Sequence, residues 1–199
     1  HFDKTFSDNS TIQHIHRITT PLSSICNHKK PLFRVRKSEN PLTSRDEIFH
    51  IPFSNRHFVS AQRYSVAGLP CLYLGTSVYV CWQEMEKPDF DKLFISSFTT
   101  SETEYKVLNF ASQLLLHPSP NYADENKLAE TNRVKASYLI FWPLIIACNY
   151  LKNHRSATFI QEYIIPNLLM QWISRKTYSK IVGVAYFSTK MPNSRLSNR

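Results

Sequence analysis

Glycine is scarce, with three residues in a chain of 199. So few glycines exclude a collagen-like repeat, and none stands in the G-x-G-x-x-G spacing of a dinucleotide-binding unit or in a phosphate-cradling loop. A Rossmann-type oxidoreductase is therefore disfavoured. Long apolar runs are lacking too: the longest, Tyr138 to Cys148, is about half of what a membrane-spanning helix needs and contains Pro143. No membrane partner is expected. His1-Phe2-Asp3-Lys4 opens on polar residues without the apolar core of a signal peptide. Cys26, Cys71, Cys81 and Cys148 lie far apart with no Cys-x-x-Cys pair, so they read as reduced, buried thiols of a cytoplasmic protein. His14, His16, Cys26 and His28 match no common zinc spacing, and no metal site is expected. Only 20% of residues are charged and 13% are aromatic, which excludes a coiled coil and outright disorder.

What charge there is, is uneven. The formal net charge is +9. Residues 1–64 carry +5, residues 65–130 carry −5, and residues 131–199 carry +9 with Glu162 as their one acidic group. Such a basic excess attracts anions: nucleic acid, phosphorylated metabolites or an acidic protein partner. No Lys/Arg-rich run, RNP-like aromatic motif or zinc-finger spacing accompanies it, so charge alone does not make a nucleic-acid binder.

The chain length suits one domain with a sizeable core. Residues 1–30 read as an N-terminal lead-in, residues 31–190 as the catalytic domain and residues 191–199 as a polar tail. Pro31 to Arg36 predicts a first strand whose alternation puts Leu32, Arg34 and Arg36 on one face. Leu69 to Gly75 predicts a buried strand, and Thr76-Ser77 a cap for a helix from Val78 to Met85 that stops before Pro88. Leu93–Phe98 and Tyr105–Phe110 predict further strands. Leu128–Leu151 is helical and broken around Pro143, and Thr158–Trp172 is helical with Pro166 near a start. Lys180–Ser188 is the last strand. Strands, then helices, then a strand make an α+β domain.

Chemistry concentrates between Arg63 and Glu84. Arginine suits a pyrophosphate because its planar fork donates in pairs and keeps its charge. Tyr73, ten residues on, offers a flat face for a base or nicotinamide ring. Glu84, a further eleven on, could hold ribose hydroxyls and stabilise an oxocarbenium-like centre. Each residue also has a plain structural explanation: Arg63 in a surface ion pair, Tyr73 in the core, Glu84 on a solvated helix face.

The blocks Phe33-Arg34-Val35-Arg36, Gln62-Arg63-Tyr64-Ser65, Leu72-Tyr73-Leu74 and Trp82-Gln83-Glu84 stand in one order with two more. These are Glu162-Tyr163-Ile164-Ile165-Pro166-Asn167 and Gly183-Val184-Ala185-Tyr186-Phe187-Ser188. The set resembles the RES domain family, named for its Arg, Glu and Ser, from about Leu32 to Ser188. That resemblance implies an ADP-ribosyltransferase-like fold with NAD+ as substrate rather than cofactor. It implies a toxin paired with an antitoxin protein, which hydrolyses or phosphorolyses NAD+ or transfers ADP-ribose to a protein. By motif position Arg63, Glu84 and Ser188 are the naming residues, Tyr73 with Tyr64 belongs to the pocket, and Arg34 or Arg36 is the early arginine. Asn167 and Ala185 depart from the pattern, where Gln and a larger polar residue are usual. A basic nucleic-acid-binding module, stacking bases on Tyr and Phe, is the alternative from another class.

Overall fold

A computed structural model of the chain describes residues 9–115, 124–152, 159–175 and 180–188. The tail 191–199 lies outside the described residues. The amphipathic segment Asn9–Arg17 forms helix α1 and Thr19–Pro21 forms strand β1, followed by a single turn α2 at Leu22–Ile25. β2 is Leu32–Lys37, and a capped turn α3, Arg45–Ile48, leads to a 3₁₀ segment at Phe53–Phe58. Helix α4 is Val78–Glu84, β3 is Leu93–Phe98 and β4 is Lys106–Asn109. The helical layer is α5, Glu125–Ile140, α6, Trp142–Asn149, and α7, Ile164–Ser174; β5, Ile181–Ala185, closes the order. The α+β class holds, and among these residues no helix is long and apolar enough to cross a membrane.

Two small sheets share the work. β1 pairs antiparallel with β4, and β4 runs parallel to β5. β2 and β3 form a separate antiparallel ribbon in which Arg34 stands opposite Ser96. The residues read as a lead-in thus supply a strand, and Ile15 and Ile18 are buried in the common core with Leu108, Phe141, Leu169 and Trp172. Their polar composition hid this, because β1 has only three residues and no apolar alternation.

Both prolines act at helix starts. Pro143 lies in the first turn of α6, where its missing N–H leaves nothing unpaired, so the break falls at Phe141. Pro166 is buried in the first turn of α7 for the same reason. Leu69–Gly75 corrects the expectation of a strand. The segment is extended but unladdered, with Pro70 lacking a donor, until Gly75 exchanges two 2.8 Å backbone hydrogen bonds with Phe33.

That bridge fixes α4 against β2. The Ser77 side chain accepts from the Val80 N–H at 3.2 Å and starts the helix, as the sequence predicts. The Cys81 thiol then donates to the Phe33 carbonyl at 3.2 Å. A Cβ on Gly75 would stand 2.6 Å from Cys81 Sγ and 3.3 Å from the Ser77 carbonyl, so only glycine fits. Gly75→Ala should therefore lower stability by about 1–3 kcal/mol through overpacking, and adding Cys81→Ala should return part of it. Urea unfolding of the single and double variants checks this, and a wild-type midpoint for Gly75→Ala contradicts it.

Candidate active site

Arg63 and Tyr64 sit at the tip of a two-residue turn closed by paired backbone hydrogen bonds between Gln62 and Ser65, of 2.8 and 3.2 Å. The Ser65 hydroxyl donates to the Leu69 carbonyl at 2.8 Å, and Gly68, at φ +79°, donates its N–H to Val59 at 3.0 Å. Only a residue without Cβ takes that left-handed conformation at little cost. The turn drives both side chains inward, Arg63 to 6% and Tyr64 to 3% exposure. The last carbonyls of a helix lack internal donors, and at the buried end of α6 two are supplied from this turn. Arg63 Nη1 donates to the Cys148 carbonyl at 3.1 Å and the Tyr64 hydroxyl donates to it at 3.4 Å. A cation also complements the negative end of the helix. The guanidinium lies 5.3 Å from the Tyr163 ring centre.

Around this point the phenols assemble. The Tyr64 N–H donates to the Tyr73 hydroxyl at 3.1 Å, and the Tyr64 and Tyr186 rings are 4.5 Å apart. Tyr186 also feels the charges of Glu84 and Arg63. Glu84 is the last residue of α4. The Ser188 hydroxyl donates to Glu84 Oε1, bridging 104 positions of sequence. Just beyond, Glu86 and Lys87 both hold positive φ, 65° and 58°, strain of a kind that gathers at functional sites.

Arg63, Tyr64, Tyr73, Glu84 and Ser188 are thus brought to one neighbourhood, with Tyr186 in the middle. The two early arginines part company. Arg36 donates to the Glu47 carbonyl at the end of α3. Arg34 is half-buried, the Cys81 thiol is in electrostatic reach of both it and Glu84, and burial followed by Arg36 lowers its pKa. Tyr163, Tyr186 and the Cys148 carbonyl had no assigned role in the sequence, although both tyrosines stand in the blocks that carry the resemblance. Their contacts are tertiary, and no spacing reports them. An open depression of 780 Å³ lies where α6 ends, lined by Tyr150, Leu151, Lys152, Glu162 and others, none of them a candidate site residue.

Burial pushes the phenols of Tyr64, Tyr73 and Tyr186 above their ordinary range, Glu84 adding to the rise at Tyr186 and Arg63 opposing it. Burial also pushes the Cys148 thiol up to about 12. The folded chain keeps these groups neutral, so the unfolded chain gives up its protons first as pH rises. Stability present at neutral pH is then lost from about pH 9 toward about pH 12. The urea midpoint should fall steadily above about pH 9, less steeply in Tyr186→Phe; equal midpoints at about pH 8 and about pH 11 would contradict the clustered burial.

Among known proteins, the chain is similar to "Putative toxin YopC" of Bacillus subtilis (strain 168). The two are 35% identical over 173 residues, which is 83% of this chain and 38% of that protein. The chain spans well under half the length of that relative. No family model matches the chain, and no solved structure matches it significantly.

Proposed function

We propose that the chain is an NAD+-consuming enzyme that cleaves the nicotinamide–ribose bond, in an ADP-ribosyltransferase-like arrangement of the RES type. One observation carries the reading: the Ser188 hydroxyl holds the Glu84 carboxylate, and both Glu84 and Arg63 lie within electrostatic reach of Tyr186. These residues come from three distant blocks of sequence. The similarity to a protein named as a toxin supports a toxic activity, and with it an antitoxin protein that silences it in the cytoplasm.

The chemistry follows from charge. The nicotinamide ring nitrogen of NAD+ is cationic, so when the C1′–N bond breaks the electron pair neutralises it and nicotinamide leaves without needing a proton. Positive charge then builds on the ribose. Glu84 is the carboxylate that stabilises this charge, by an electrostatic effect that a water-poor site strengthens. Ser188 orients it. Tyr73 packs against the nicotinamide ring, and Arg34 or Arg63 faces the pyrophosphate. An acceptor oxygen from water or phosphate forms the new bond to C1′ and sheds its proton; a protein side chain in its place makes the reaction an ADP-ribosyl transfer.

Glu84→Gln keeps the shape and removes the charge. It should cut nicotinamide release from NAD+ by about 10²-fold or more while leaving the fold intact by circular dichroism. Undiminished turnover in that variant defeats the assignment. No release from the wild type, with oligonucleotide affinity that falls steeply with salt, would favour the nucleic-acid module instead.

A further inference from the structure

Neither α6 nor α7 contains a charged residue. A surface helix ordinarily keeps a polar face for water, and a helix that is apolar all round belongs in an interior. These two have only one side inside. Ile145 and Cys148 of α6 and Leu169 and Trp172 of α7 are buried in the common core. On the outer side, Trp142 and Ile146 lie one turn apart on α6, and Ile164 and Leu168 one turn apart on α7. All four stay exposed, and because the helices pack against each other the two stripes adjoin. Leu139 and Ile140, where α5 runs into α6, leave 62% and 55% of their surface open. Single exposed apolar residues mean little, but a contiguous face of this kind marks an interaction site.

Shape and charge select the occupant. The depression at the end of α6 is walled by Ala147 of α6 and Ile165 of α7, so the face is concave and takes a ridge. A lipid surface offers no ridge, and a helix that lies on lipid carries Lys and Arg beside its apolar stripe, which α6 and α7 do not. The surroundings are basic. Lys152 lines the depression, Arg175 follows α7, and residues 131–199 carry +9 with Glu162 as their one acidic group. A second copy of this chain would bring like charge to like, whereas an acidic partner brings the opposite sign. We infer that the α6–α7 face is a docking groove for an acidic amphipathic helix of another protein. Leucine or isoleucine anchors, spaced as on one helix face, fill the groove, and flanking carboxylates meet its basic surroundings. The groove contains none of the proposed reacting residues and stands whether or not the chain cleaves NAD+.

Fluorescence anisotropy with two labelled helical peptides of about 18 residues, roughly five turns, tests it on the full chain. Both carry leucine along one face; one has glutamate at the flanking positions and the other lysine. The wild type should bind the acidic peptide in the micromolar range, at least about tenfold more tightly than the basic one. Ile146→Glu and Leu168→Glu, one on each helix and both at exposed positions, should each weaken acidic-peptide binding about tenfold while keeping the wild-type urea midpoint. No binding, equal affinity for the two peptides, or wild-type affinity in both variants overturns the groove. Two further results also overturn it by giving the face another occupant. One is a wild-type dimer in sedimentation that both variants dissociate. The other is binding to phosphatidylglycerol vesicles that both variants lose.

Discussion

The carbonyl of Cys148 lies in the last turn of α6, on a residue with no exposed surface, and the candidate site is arranged by the donors that reach it. A buried helix terminus left unpaired costs on the order of 1–3 kcal/mol per group. Arg63 and Tyr64 meet that demand from a turn 85 and 84 residues earlier in the chain, respectively. Once they are fixed, the Tyr64 N–H fixes Tyr73, and the Tyr64 ring meets Tyr186. The arginine that the sequence marks for chemistry is thus also a structural clamp. Its nearly complete burial makes it part of the wall of the candidate site.

A second constraint brings the carboxylate in. Gly75 bridges to Phe33 and leaves room for Cys81, which seats α4 on β2 and sets Glu84 at the helix end. β5 delivers Ser188 to it from the opposite direction. The helix seated on one sheet and the chain leaving a strand of the other thus share a side-chain hydrogen bond, Ser188 to Glu84. Two left-handed residues just beyond that carboxylate are a costly design for stability alone. Such costs are expected where function selects the geometry.

Much of the fold was legible because its signals are local. The Ser77 cap, the break at Pro143 and the strands around Arg34, Ile95 and Val107 rest on a few adjacent residues, and the structure places them as the pattern indicates. The failures are tertiary. Leu69–Gly75 has the apolar content of a strand but only one residue with a partner, and Thr19–Pro21 has the partner without the pattern. In the candidate site, residues 63, 73, 84 and 188 stand in the blocks of the resemblance, and the contacts among them are tertiary. Sequence does not separate Arg34 from Arg36, since both lie on one face; in the fold Arg36 donates to the Glu47 carbonyl and Arg34 is half-buried.

The most direct measurement is a crystal structure of the Glu84→Gln protein with intact NAD+ bound. The expected result is the nicotinamide ribose against residue 84 and Ser188, with the ring beside Tyr73 and the pyrophosphate at the β2–β3 face. A dinucleotide bound elsewhere, with residue 84 and Ser188 untouched by it, would contradict the account.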